Sequence, residues 1–140
     1  MRLSIRNQFP ATIVAVSTGQ VMGTVKARLN GGQEITAAIT LEAIHDLGLA
    51  EGQPVQILIK STEVALATSP VAGLSIRNQI RGTIRTVDHG AVMTTVKVDI
   101  GGDEVLTAAI TKESAEDLDL AQGQAVTALI KSTEVSLAVV

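Results

Sequence analysis

Three residues near the start of the chain, Ser4, Arg6 and Asn7, place a hydroxyl, a guanidinium and a carboxamide within four positions. The same types return as Ser75, Arg77 and Asn78. Such a set consists of hydrogen-bond donors suited to an oxyanion, because Arg can hold two oxygens at once while Asn and Ser donate to others. A plainer reading has Arg and Asn closing a strand end and Ser facing solvent. Lys60-Ser61 and Lys131-Ser132 follow the apolar runs Ile57-Leu58-Ile59 and Ala128-Leu129-Ile130. That order puts each ammonium near a barrel rim, where it would suit a dianion or merely blunt a strand edge. Thr40 and Thr111 precede short helical patterns, either as simple N-caps or beside outward N–H groups that favour anions. Taken together, the three clusters point to local capture of a small oxyanion more specifically than any one of them.

Other chemistries find little support in the residues. His45 and His89 are the only histidines and occupy non-equivalent positions without partners, so they read as solvent-exposed, and no site for a free metal cation is expected. The carboxylates recur singly, as Asp46 and Asp117 or Glu63 and Glu134, with no paired-carboxylate motif. There is no GxxxxGK[ST] loop and no cysteine. The expectation is therefore a binding protein with no catalytic cofactor and no enzymatic reaction. A formal charge of −3 argues against a general polyanion binder, and Phe9 is the single aromatic side chain available for base stacking, which disfavours nucleic acid. No apolar run approaches the length of a signal sequence or a membrane span, so a cytoplasmic protein without a membrane partner is expected.

The elements that must position these groups come in two copies. Leu3 to Ala67 aligns without a gap on Leu74 to Ala138, and 38 of the 65 positions are identical. Residues 1–68 thus form a first repeat, 69–73 a Pro- and Gly-bearing linker, and 74–140 a second repeat. Hydrophobic residues make up 46% of the 140, almost all aliphatic, and the abundance of Val, Ile and Thr favours strands. Val21, Val25, Ala27 and Leu29 alternate with Met22, Thr24, Lys26 and Arg28. Val92, Val96, Val98 and Ile100 alternate in the same way with Met93, Thr95, Lys97 and Asp99. Asn30-Gly31-Gly32 and Gly101-Gly102-Asp103 read as hairpin turns. A helical turn over Leu41 to Leu47 recurs more weakly over Thr111 to Leu118, and strands near Val55 to Lys60 and Glu63 to Ala67 complete the copy. The fold class is all-β: two tandem OB-like five-stranded Greek-key barrels, each with a short helix. A repeat of about 70 residues without aromatic anchors is marginal alone, so a homo-oligomer with sites between subunits is expected.

Ser-x-Arg-Asn at the first strand, Ala-Ile-Thr before the helix and Leu-Ile-Lys-Ser before the last strand, each present twice, resemble the molbindin or Mop family in its tandem, di-Mop form. The resemblance covers nearly the whole chain. It implies an OB-like barrel that binds molybdate or tungstate for intracellular storage or homeostasis, and a homotrimer containing six Mop units. By position, it implies inter-subunit oxyanion sites built from Ser4, Arg6 and Asn7 of one unit with Thr40, Lys60 and Ser61 of another. Ser75, Arg77, Asn78, Thr111, Lys131 and Ser132 would serve in the second copy. Two departures stand out. The family's Gly-Ala-Val-Asn is Gly19-Gln20-Val21-Met22 and Gly90-Ala91-Val92-Met93 here, and Met lacks the N–H donor for a second class of site at a trimer axis. The family's Arg in the helical segment is also missing, and Lys112 substitutes in one copy only, so the repeats are expected to differ in affinity. The competing readings are a molybdate-sensing module acting through a separate partner and, less favoured, an OB-fold nucleic-acid binder.

Overall fold

The computed structural model describes residues 2–140. The first repeat runs β1 (Asn7–Thr18), β2 (Met22–Leu29), β3 (Glu34–Thr40), α1 (Leu41–Leu47), β4 (Pro54–Ile59), a single 3-10 turn (Ser61–Glu63) and β5 (Ala65–Ala67). The second repeats this order as β6 (Asn78–His89), β7 (Met93–Gly101), β8 (Glu104–Thr111), α2 (Lys112–Asp117), β9 (Ala125–Ile130), a 3-10 turn (Ser132–Glu134) and β10 (Val135–Val139). All pairings are antiparallel.

The predicted alternation holds along β2, where Gly23, Val25, Ala27 and Leu29 are buried and Met22, Thr24, Lys26 and Arg28 face outward. Val21 and Val92 fall out of this pattern. Each sits in the tight turn ahead of its strand, closed by Gly19 N to Met22 O and Gly90 N to Met93 O at 2.8 Å, and each is about three-quarters exposed. A shift of register in β1 between Ile13 and Ala15, and its twin in β6 between Ile84 and Thr86, bends both long strands so that one strand serves two neighbours.

The two sheets differ from expectation in how they close. Their strand orders are β10-β4-β1-β2-β3 and β5-β9-β6-β7-β8, so each repeat sends its last strand to the other. β10 pairs with β4 from Val135 opposite Ile59 to Val139 opposite Val55, and β5 pairs with β9 from Ala65 opposite Leu129 to Ala67 opposite Thr127. The final strands do not complete their own copy, as the sequence pattern suggested. The physical reason is that Lys60 to Val64 and Lys131 to Val135 are the same five residues, so a local pattern supports either pairing equally. One continuous aliphatic core, which includes Ile13, Ile35, Ile57 and Ile59 with Ile84, Leu106, Ile130 and Val135, runs through both repeats. At the junction the two hairpin tips meet at Gly31 and Gly101-Gly102, close enough that a Cβ on Gly31 would lie 2.9 Å from Gly101 C. Beside it, Gln33 Nε2 donates to Arg81 O and Ile100 O, while Arg81 N donates to Gln33 Oε1.

The copies have diverged inside by compensating changes. Gly23 leaves room for Ile44, whose Cδ1 a Cβ would strike, whereas the second copy has the buried Thr94 over Ala115 at the same two places. Gly23→Thr alone is therefore expected to destabilise by about 1–3 kcal/mol through overpacking. Ile44→Ala alone should cost about 2–5 kcal/mol. Urea unfolding of the double variant should show a loss smaller than the sum by at least about 1 kcal/mol; strict additivity would contradict direct packing between these positions.

Candidate functional site

The register of β1 against β4 decides which side chains meet. Asn7 lies opposite Ile59, so the residues just before Asn7 run beside those just after Ile59, and Asn78 opposite Ile130 does the same in the second copy. The outcome is a pair of matching cavities. One, of about 270 Å³, is lined by Ser4, Ile5, Arg6, Lys60, Ser61 and Thr62. The other, of about 240 Å³, is lined by Ser75, Ile76, Arg77, Lys131, Ser132 and Thr133. Each holds a guanidinium, an ammonium and three hydroxyls, with one Ile as its only apolar lining residue and no carboxylate. The roomier cavity between β5 and α2, about 310 Å³, has Asp117 as its only charged wall and the wrong sign for an anion.

Within each cavity the polar groups are left available. The three ion pairs among the described residues are Arg28–Glu34, Arg85–Asp99 and Lys112–Glu116, and none of them uses Arg6, Lys60, Arg77 or Lys131. Arg6 is steadied by one bond from its Nη2 to Leu3 O at 3.1 Å, which leaves further N–H groups free. Ser61 Oγ and Ser132 Oγ are buried and have no hydrogen-bond partner among the described residues. A hydroxyl shut away from water without a partner costs free energy, and here two stand at equivalent positions of the repeat. Guanidinium, ammonium and hydroxyl donors converging on one space can hold a small oxyanion from several sides.

Not every residue singled out in the sequence joins these cavities. Ser4, Arg6, Lys60 and Ser61 come together, as do Ser75, Arg77, Lys131 and Ser132, and in both cases all four belong to one repeat, not to two different units. Asn7 and Asn78 do not line the cavities. Asn7 is buried, with Nδ2 donating to Thr107 O at 2.8 Å and Oδ1 accepting from Thr107 N at 2.7 Å, so its oxygen and one of its N–H groups engage the other repeat. Asn78 does the same with Thr36. Thr40 and Thr111 stand away from the cavities as N-caps, accepting from Ala43 N and Ser114 N at 3.1 Å, and Thr111 also donates to Ser114 Oγ. Their helices have seven and six residues, too short for a substantial macrodipole. Sequence reasoning passed over Ile5, Thr62, Ile76 and Thr133; the unchanged return of Lys-Ser-Thr-Glu-Val was the signal that could have drawn in the threonines. His45 is exposed, and His89 Nδ1 meets Thr94 Oγ1 at 3.0 Å.

Comparison with known proteins shows what the whole chain is similar to. A family model described as the TOBE domain matches residues 3–66 and again 74–137. The chain is 40% identical over 139 residues to the molybdenum-pterin-binding protein MopB of Rhodobacter capsulatus, covering 99% of this chain and 52% of that protein. It is 41% identical over 141 residues to the molybdenum transport protein ModE of Herbaspirillum seropedicae, again over 99% of this chain and 52% of the relative. The chain thus spans about half the length of these curated relatives. Among solved structures, the cytoplasmic molybdate-binding protein ModG with molybdate bound superimposes with a TM-score of 0.96 at 36% identity, covering all of both chains.

The orphaned hydroxyls generate a stability prediction. In buffer free of sulfate and phosphate, Ser61→Ala should leave the unfolding free energy unchanged or raise it by up to about 1 kcal/mol, because it deletes an unsatisfied buried group. A loss of more than about 1 kcal/mol in urea unfolding would mean that the hydroxyl holds the fold together and is not kept for a ligand.

Proposed function

The chain belongs to the TOBE-domain family, and on that footing we propose that it binds molybdate, or the isostructural tungstate, as an intracellular store or buffer for the oxyanion. The observation that carries this reading is that Ser61 Oγ and Ser132 Oγ are buried without a hydrogen-bond partner among the described residues, each in a cavity with an Arg and a Lys that form no ion pair among those residues. The relationship to MopB and ModG supports molybdate over other anions of the same shape.

In the proposed complex the Arg6 guanidinium takes two oxygens of the tetrahedral dianion and the Lys60 ammonium supplies a second charge. Ser4, Ser61 and Thr62 donate neutral hydrogen bonds to the remaining lone pairs. Arg77, Lys131, Ser75, Ser132 and Thr133 act likewise in the second cavity. The absence of a lining carboxylate removes the repulsion that a dianion would otherwise meet, which lets a chain of net charge −3 attract an anion locally. Both cavities open outward, and a neighbouring subunit of a homotrimer closes them and excludes water, which strengthens each charged contact. Discrimination against sulfate follows from size: a space fitted to the longer metal–oxygen bonds leaves the smaller anion unable to reach all donors together. A cytoplasmic setting, as stated for ModG, fits a role in holding the oxyanion without transforming it.

Calorimetric titration of the anion-free protein with molybdate, tungstate and sulfate, with the oligomer mass recorded in the same buffer, tests the reading. Saturable binding of the first two and little heat from sulfate are expected. Lys60→Ala should weaken the first class of sites by about tenfold to a hundredfold, the effect of removing one charge-assisted hydrogen bond. No binding by the intact wild-type oligomer, or equal binding of sulfate, would refute it.

A further inference from the structure

We propose that Asn7 and Asn78 are positioning residues, each fixing the anion cavity of its own repeat by anchoring it to the edge strand of the other. The proposal rests on the oxyanion reading above and concerns how the cavity walls are held.

Both walls of the first cavity end on the same strand of the second repeat. One wall is the segment Ser4 to Arg6, which lies outside any strand and leads directly into Asn7. The Asn7 carboxamide presents an N–H and a C=O in the arrangement of a peptide group, and it saturates the outward N–H and C=O of Thr107 on β8 at 2.7 and 2.8 Å. The other wall is the 3-10 turn Ser61–Glu63, which packs against β8 as well. The second cavity mirrors this arrangement. Asn78 saturates Thr36 of β3 with two bonds of 2.8 Å, and the turn Ser132–Glu134 packs on β3. The separation between Arg6 and Ser61 is therefore set by their common footing on a strand from the opposite repeat. The β1–β4 ladder fixes their register along the strand, and the Asn anchors fix their approach across it.

Only a group with one donor and one acceptor fits between the N–H and C=O of Thr107. Ala supplies neither, and an ionised Asp offers two acceptors to a site that needs one. A protonated Asp restores the pattern, with its O–H donating to Thr107 O and its carbonyl accepting from Thr107 N. Burial and the facing carbonyl raise the pKa of such an Asp above the ordinary carboxylate value, so the competent neutral form gains as pH falls toward 6.

The test uses the full chain, sodium molybdate titration and amide hydrogen exchange at Thr107. The first cavity is read in a Lys131→Ala background and the second in a Lys60→Ala background. Binding by wild type is established first, so that its absence would fail the oxyanion reading and not this one. Asn7→Ala is expected to speed exchange at the Thr107 amide and weaken the first cavity by about tenfold or more, leaving the second within about twofold. Asn78→Ala should reverse the pattern. Asn7→Asp should recover affinity and Thr107 protection together between about pH 8 and about pH 6, a recovery absent from Asn7→Ala, and it remains informative should the alanine variant fail to fold. The proposal is overturned by a deprotected Thr107 with unchanged affinity in the first cavity, by equal losses in both cavities, or by affinity recovering in Asn7→Asp without Thr107 protection. That last result would place the side chain on the anion itself.

Discussion

The outer edges of β4 and β9 govern the rest of the molecule. Each strand gives one row of backbone groups to β1 or β6 and must find a partner for the other row, since an open edge of such apolar residues invites association with other chains. In both cases the partner is the terminal strand of the opposite repeat. The exchange makes one folding unit out of two copies: Val135 and Leu137 of the second copy lie against Ile59 and Ile57 of the first, and the aliphatic core runs through without a break. A core with a single aromatic ring, Phe9, gains from this arrangement, because joining two small cores raises the fraction of surface that each buries.

The exchange also fixes where the two polar cavities form. To reach the other sheet the chain must leave the end of β4 and turn, and Lys60, Ser61 and Thr62 occupy that turn. The residues that enter β1 on the neighbouring strand are Ser4 and Arg6, brought level by the pairing of Asn7 with Ile59. A junction that the backbone needs for closure is thus where donors collect. Ser61 Oγ and Ser132 Oγ, buried and without a hydrogen-bond partner among the described residues, lie at this junction.

Much of this was legible in the residues, and what was not has a common physical cause. The repeat, the five strands per copy, the short helix capped by Thr40, and the donor character of Ser4, Arg6, Lys60 and Ser61 all follow from local pattern. Pairing does not. A strand's period of two tells which face is buried but not which neighbour it meets, and two copies with the same Lys-Ser-Thr-Glu-Val leave own-copy and exchanged closure indistinguishable. What Asn7 and Thr40 bond to within one chain is likewise set by the fold and not by the local pattern. Within the chain, Asn7 Oδ1 and one Nδ2 N–H meet a peptide group 100 positions away, and Thr40 Oγ1 accepts from the N–H three positions ahead while retaining its own O–H as a donor. Hydrogen-bonding capacity is written in the sequence, whereas its expenditure depends on the tertiary fold.

The way the two copies have diverged separates packing from binding more sharply than either copy alone. Inside, substitutions come in pairs that keep volume: Gly23 with Ile44 becomes Thr94 with Ala115, and Ala11 with Ala27 becomes Gly82 with Val98, whose Cγ1 occupies the space a Cβ on Gly82 would need. Cores accept such exchanges because total volume and patterning matter more than identity. Around the cavities no exchange has occurred. Ser, Ile and Arg on one wall and Lys, Ser and Thr on the other are the same in both copies, although Arg6, Lys60 and Thr62 are exposed and no packing constraint holds them. A packing requirement cannot account for unchanged side chains at positions that pack against little. A requirement for converging donors can, because an oxyanion offers fixed geometry and charge, and no second substitution compensates for the loss of a guanidinium or an ammonium.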